Sequence, residues 1–156
     1  MLVLVLVLAL AACGGVGGPK TEATPLDALP GGRTLYRSGD WAVVVKGTRV
    51  LAVHRAGDVW RADRSRKVRI RILGPQPGAR AAARPQLAVE MTTRQSLAES
   101  QIWLDGKALF VKGGGSPTRG TIYAAPDAPL RPGTHVAVAY ARTASSATAV
   151  AWSFRV

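Results

Sequence analysis

The sequence predicts an all-β fold in which a two-sheet sandwich follows an N-terminal β-hairpin extension. Three observations support this prediction. Apolar residues recur at every second position, which is the period of a half-buried strand. Turn signals rich in glycine, proline and aspartate interrupt these runs at intervals of roughly 8 to 12 residues, as in β-sandwiches. No apolar repeat at helical spacing accompanies them along the chain.

The composition is that of one basic domain with little scope for thiol or imidazole chemistry. The chain has 156 residues, 47% of them hydrophobic, and a formal net charge of +12. These values exclude an acidic disordered protein and favour a single folded domain. One cysteine excludes an internal disulfide, and two histidines leave little for a metal centre. We therefore expect neither a metal nor a cofactor.

Residues 1–12 predict a secretory signal peptide. Leu2 to Ala12 is an unbroken apolar run of 11 residues. As a helix this run spans about 16 Å, whereas the hydrocarbon core of a bilayer needs about 30 Å. The run is therefore too short to cross a membrane and has the length of the apolar region of a signal peptide.

The apolar run ends in Leu10-Ala11-Ala12-Cys13, which resembles the lipobox of bacterial lipoproteins. The resemblance implies cleavage before Cys13 and diacylation of its sulfur. It also implies an exported protein that is anchored to the bacterial membrane, at the cell surface or the periplasmic face. Two or three acyl chains hold a protein stably, because each buried CH₂ contributes about 0.8 kcal/mol. Glycine and proline recur from residue 13 to residue 32, which predicts a flexible tether.

Residues 33–67 predict a β-hairpin region of unknown type. Apolar residues alternate over 41–45, and the turn Lys46-Gly47-Thr48 reverses the chain. Residues 49–54 then return as the second strand. A further turn leads into 59–61, so that either additional edge strands or a small β-subdomain is expected here.

Residues 68–156 predict about seven short strands, the content of a two-sheet sandwich. The clearest half-buried strand is 68–72, in which aliphatic residues point to one face and arginines to the other. Asp105-Gly106 predicts a two-residue hairpin turn. The alternation in 136–140 and in 150–156 predicts the last two strands.

Three segments of this region are similar to bacterial immunoglobulin-like surface modules. They are Pro75-Gln76-Pro77-Gly78, Ile102-Trp103-Leu104-Asp105-Gly106, and the stretch 129–138 that leads to the closing Trp152-Ser153-Phe154-Arg155-Val156. The resemblance implies an immunoglobulin-like sandwich in which the closing segment is the last strand, with alternate residues in the core. It implies nothing about a ligand.

A basic stripe is the first candidate binding surface. Its members precede or belong to the first strand of the sandwich, and they are Arg61, Arg64, Arg66, Lys67, Arg69 and Arg71. Guanidinium groups pair well with phosphate and carboxylate. For an exported protein the expected partner is an anionic envelope polymer or an envelope protein, and not a specific nucleic acid. Alternatively the stripe reflects base composition, because arginine outnumbers lysine 16 to 5 and asparagine is absent.

Trp103 is the second candidate, and two positions are open for it. If Ile102 and Leu104 face the core, Trp103 faces outward and can stack on a sugar or seat a partner. In the other register Trp103 is the central tryptophan of the core.

The sequence offers few residues in arrangements that are typical of catalytic sites. No serine lies in a Gly-x-Ser-x-Gly elbow, and most acids of the folded part lie in or beside turns. We therefore predict a noncatalytic binding or scaffolding module at the cell envelope. A carbohydrate-active accessory or enzyme, and a spacer without a ligand, are the alternatives.

Overall fold

The computed structural model describes residues 23–156, so the predicted signal peptide, Cys13 and the start of the predicted tether lie outside the described residues. Within this range a short 3₁₀ turn, Pro25–Ala28, precedes twelve strands. No helix among the described residues is long and apolar enough to cross a membrane.

The first four strands form an antiparallel meander, here called the N-terminal sheet. They are β1 (Arg33–Ser38), β2 (Trp41–Lys46), β3 (Arg49–Ala56) and β4 (Val59–Ala62). The predicted hairpin is the central pair β2–β3, with Val45 opposite Val50. The turns place Gly39, Gly47 and Gly57 at positive φ, which suits tight reversals between adjacent strands. The region is therefore a complete four-stranded sheet and not a hairpin alone.

The remaining strands form an immunoglobulin-like two-sheet antiparallel sandwich, which confirms the predicted fold class. One sheet, here called the outer sheet, contains β5 (Val68–Gly74), β6 (Leu87–Thr93), β10 (Arg119–Ala124) and β9 (Lys112–Ser116), in that spatial order. The other, here called the central sheet, contains β12 (Ala147–Arg155), β11 (Thr134–Arg142), β7 (Glu99–Leu104) and β8 (Lys107–Ala108). Asp105 and Gly106 join β7 to β8 with φ angles of 49° and 83°, as the predicted hairpin requires.

The outer and central sheets enclose the largest core. The inward residues of β5 and β6 meet those of β7, β11 and β12 in this layer. Trp152 and Phe154 of the closing strand are 2% and 0% exposed and lie in it. Their position agrees with the alternation read from the sequence.

The N-terminal sheet covers the opposite face of the central sheet, so the body has three layers. Val43 and Val45 of β2 pack against Trp103, Val138 and Tyr140 of the central sheet. Successive residues of β11 therefore point alternately into two cores. Both faces of this strand are buried, which explains why its sequence is apolar at nearly every position.

Residues 23–32 cover the outer face of the N-terminal sheet. Leu29 is buried among Ala42, Val44 and Trp60. The indole nitrogen of Trp60 donates a hydrogen bond to the carbonyl of Ala23 at 3.2 Å. This part of the predicted flexible tether is therefore packed on the fold, because its few apolar side chains fill a face that the meander leaves open.

Candidate anion-binding surface

The chain crosses from the N-terminal sheet to the outer sheet through residues 63–67, and Asp63 fixes this linker. One carboxylate oxygen accepts the backbone N–H of Ala147 at 2.7 Å, and the other accepts that of Ser65 at 2.8 Å. The hydroxyls of Ser65 and the fully buried Ser146 share a hydrogen bond of 2.7 Å. The linker is therefore tied to the start of β12, a strand that contacts β3 of the N-terminal sheet and β5 of the outer sheet.

The same contacts set the charge of Asp63. Burial raises the pKa of this carboxyl, but hydrogen bonds outweigh burial and lower the pKa below its ordinary value. Their donors are the backbone N–H groups of Ser65 and Ala147 and the hydroxyls of Ser65 and Ser146. Asp63 is therefore an ionised structural group that anchors the linker.

Arg66 is the centre of the candidate surface. Its backbone has a φ of 56°, in the left-handed region that side chains with a Cβ disfavour. Its side chain lines each of three adjoining depressions. The linker thus holds a guanidinium at the point where the depressions meet.

The three depressions have volumes of about 530, 600 and 530 Å³ and are open to solvent. The first lies between β5 and β12 and contains Arg69 and Arg71. The second lies at the ends of β5 and β6 and contains Lys67, Arg69 and Arg94. The third lies between β3 and β12 and contains Arg64. Together they form a continuous concave surface, here called the basic groove.

The structure brings five of the six residues of the predicted stripe to the basic groove, namely Arg64, Arg66, Lys67, Arg69 and Arg71. Arg61 lies apart on β4, opposite His54, and lines none of the three depressions. It was grouped with the others by proximity in sequence, but β4 belongs to a different sheet from β5.

Two cations of this region were missed by the sequence analysis. Arg94 follows β6 and joins the groove beside Arg69. Arg119 of β10 lies opposite Thr92, which itself lies opposite Arg69. The alternation of β10 indicates an outward face for Arg119, but the pairing of β5, β6 and β10 is not local in sequence.

The cations of the outer sheet differ in whether they already have partners. Glu90 accepts hydrogen bonds from Arg119 at 2.8 Å and from Arg71 at 3.2 Å. The hydrogen bond from Arg119, together with that from Arg71, lowers the pKa of Glu90. By contrast, five groove cations make no side-chain hydrogen bond or ion pair within residues 23–156, namely Arg64, Arg66, Lys67, Arg69 and Arg94.

Trp103 lies in the interior and not on the surface. It is 3% exposed, and its ring lies 5.6 Å from that of Tyr36 and 6.5 Å from that of Tyr140. The outward position that would allow stacking on a sugar is therefore wrong. Ile102 is also fully buried, because the N-terminal sheet gives the central sheet a second core.

His135 belongs to a polar cluster at the other end of the central sheet. Its Nδ1 lies 2.7 Å from Asp105, and its Nε2 lies 2.8 Å from the carbonyl of Arg131. The hydrogen bond with Asp105, followed by that with Arg131, raises the pKa of the imidazole. Within residues 23–156 no group of three His, Cys, Asp or Glu side chains is placed to hold a metal ion.

We expect the free energy of unfolding to fall as the pH rises through the raised pKa of His135. Because the pKa of His135 is higher in the folded protein, the protonated imidazole stabilises the fold fully when the pH is below the unfolded pKa of about 6.5. This stabilisation is lost as the pH rises through the folded pKa. Thermal unfolding of the wild type and of His135→Gln at about pH 5.5 and about pH 8.5 tests this. The wild type should lose more stability than the variant between the two conditions. The same loss in both proteins would contradict the assignment.

No protein-family model matches the chain, and no curated protein matches it. Among solved structures the chain is similar to the tandem immunoglobulin domains of titin, with 7% sequence identity and a TM-score of 0.38. The similarity covers 74% of this chain and 59% of the titin chain, so this chain spans less than two thirds of that structure. A similarity of this size carries no information about a ligand or an activity.

Proposed function

We propose that this protein is a lipid-anchored, noncatalytic binding module of the bacterial cell envelope that contacts anionic envelope material through the basic groove. The observation that supports this function is the set of cations gathered around Arg66 that have no side-chain partner among residues 23–156. Six cationic side chains line the groove against two carboxylates, Asp63 and Glu90. Both carboxylates accept internal hydrogen bonds, so the net field of the groove attracts anions.

The proposed location at the membrane rests on the lipobox-like segment around Cys13. The ten residue-to-residue steps from Cys13 to Ala23 reach at most about 35 Å when fully extended. An acylated Cys13 would therefore keep Ala23, and with it the folded body, close to the membrane. Envelope polymers at that surface would be its accessible anions.

Sedimentation with washed cell envelopes over a series of salt concentrations tests the proposal. The protein is residues 13–156 with Cys13→Ser, which represents the processed chain without an acyl group. We expect saturable binding that weakens steeply with salt, because counterions screen exposed charges. A variant carrying Arg66→Gln, Arg69→Gln and Arg94→Gln should bind at least about tenfold more weakly.

The matched control carries Arg80→Gln, Arg131→Gln and Arg155→Gln. These exposed arginines lie at the far end of the sandwich, around the end of β12, and their loss changes the net charge equally. Control binding should change by less than about threefold. An equal loss of binding in both variants would show that binding depends on net charge and not on the groove. No binding at any salt concentration would favour a spacer without a ligand.

The lipid anchor has a test of its own. In the native membrane fraction, an unmodified Cys13 with residues 1–12 still attached would contradict the anchor.

A carbohydrate-active accessory is not favoured by the structure. That alternative placed an exposed Trp103 and scattered carboxylates in one cleft, whereas Trp103 is buried between two sheets. The groove itself is lined by cations, hydroxyls and aliphatic side chains, without an aromatic platform for a sugar ring.

A further inference from the structure

We infer that the ligand of the basic groove is a linear polymer of phosphodiester-linked units, and not the flat headgroup layer of a bilayer. This inference rests on the proposed function and names the chemical class that the same surface recognises. It is supported by the shape of the groove, by the chemistry of its lining and by the backbone of Arg66.

The groove is concave and continuous. The depression between β5 and β12 shares Arg69 with the one at the strand ends and shares Thr148 with the one between β3 and β12. Arg66 belongs to all three. A flexible chain can follow such a bent path and place successive charges along it. A flat layer of headgroups meets mainly the rim of a concave surface, so it uses fewer of these cations.

The lining consists of donors suited to phosphate oxygens. Guanidinium groups present paired N–H donors that match the two free oxygens of a phosphodiester. The hydroxyl of Thr92 lies among them in two of the depressions. The cations are also spaced for a repeating ligand. Arg69 and Arg71 are about 7 Å apart along β5, and Arg94 lines the same depression as Arg69.

The backbone at Arg66 holds this side chain in an unfavourable conformation. Glycine adopts a φ of 56° without strain, whereas an arginine there is disfavoured. Non-glycine residues held in sparsely populated conformations concentrate at binding sites and active sites. Replacing Arg66 by glycine therefore removes the guanidinium and relaxes the backbone at once, which separates binding from folding.

Calorimetric titration of residues 13–156 with Cys13→Ser tests the inference. The main probe is inorganic polyphosphate of defined length, a phosphoanhydride chain whose internal phosphates have the single charge and two free oxygens of a phosphodiester. The other probes are orthophosphate at equal total phosphate, polygalacturonate, and vesicles of phosphatidylglycerol. We expect polyphosphate to bind at least about 100-fold more tightly than orthophosphate, since several groove cations act on one chain. Arg66→Gly should weaken polyphosphate binding at least about tenfold and lower the salt slope by roughly one unit, without lowering the melting temperature.

The matched control is Arg131→Gly, which removes an exposed arginine far from the groove and should leave polyphosphate binding within about twofold. Equal losses in the two variants would overturn the inference. So would polygalacturonate binding as tightly as polyphosphate, or vesicles binding tightly while polyphosphate fails to compete. Envelope sedimentation that persists without polyphosphate binding would overturn this inference and leave the proposed function intact. Absence of envelope binding would overturn the proposed function itself.

Discussion

Replacing Trp103 by alanine is expected to lower the free energy of unfolding by about 3 to 5 kcal/mol, the cost of removing a large buried aromatic side chain. Trp103 is 3% exposed and packs with Tyr36 of the N-terminal sheet and Tyr140 of the central sheet. Alanine would leave a cavity between the two sheets. Neither sheet can close this cavity without moving many side chains out of their packed positions. The N-terminal sheet depends on this interface, because within residues 23–156 its other face is covered only by residues 23–32.

Urea unfolding followed by circular dichroism measures this loss, since a backbone signal does not depend on the removed indole. The matched control is Phe110→Ala, because Phe110 is 78% exposed and its loss should cost less than about 0.5 kcal/mol. Trp103→Phe should lie between the two. A Trp103→Ala protein as stable as Phe110→Ala would show that the N-terminal sheet does not cover the sandwich.

Local alternation is sufficient to identify most of the strands. The outward arginines and inward aliphatic residues of 68–72 predict β5, and Asp105-Gly106 predicts the turn into β8. These features involve only neighbouring residues, so the sequence displays them directly. The same reasoning correctly places Trp152 and Phe154 in the core.

The third layer could not be predicted in this way. Alternation shows which residues share a face of a strand, but it does not show how many layers surround that strand. With two layers, either Ile102 or Trp103 must face solvent, and the prediction for Trp103 depended on this choice. The N-terminal sheet buries both residues, one in each core. The continuous apolar character of β11 is the sequence signal that pointed to two covered faces.

The candidate site was predictable only where it is local. Arg64 to Arg71 fall in one stretch, so composition alone drew attention to them. Arg94 lines the groove because β6, which precedes it, pairs with β5. Arg61 lies outside the groove because β4 belongs to another sheet. Pairing between distant strands decides both cases, and no local pattern encodes it. The partnership of Arg71 with Glu90 likewise depends on their cross-strand position.

Asp63→Ala is expected to lower the free energy of unfolding by about 2 kcal/mol and also to weaken ligand binding at the groove. The substitution leaves the backbone N–H groups of Ala147 and Ser65 without their acceptor, and an unsatisfied, partly buried donor costs about 1 to 3 kcal/mol. It also releases the linker that positions Arg66. A stability loss and a binding loss should therefore appear together in this variant, whereas Arg66→Gly should show the binding loss alone.

The pH dependence provides an independent check on Asp63. The pKa of Asp63 is lowered in the folded protein. Its carboxylate therefore stabilises the fold fully when the pH is above the unfolded pKa of about 3.9, and this stabilisation is lost as the pH falls through the folded pKa. The stability difference between the wild type and Asp63→Ala should consequently shrink in acid. Asp127→Ala is the matched control, since the Asp127 side chain is 85% exposed and lies 3.5 Å from Lys107. If Asp63→Ala is no less stable than this control at neutral pH, the carboxylate does not tie the linker to β12, and the position of Arg66 must depend on other contacts.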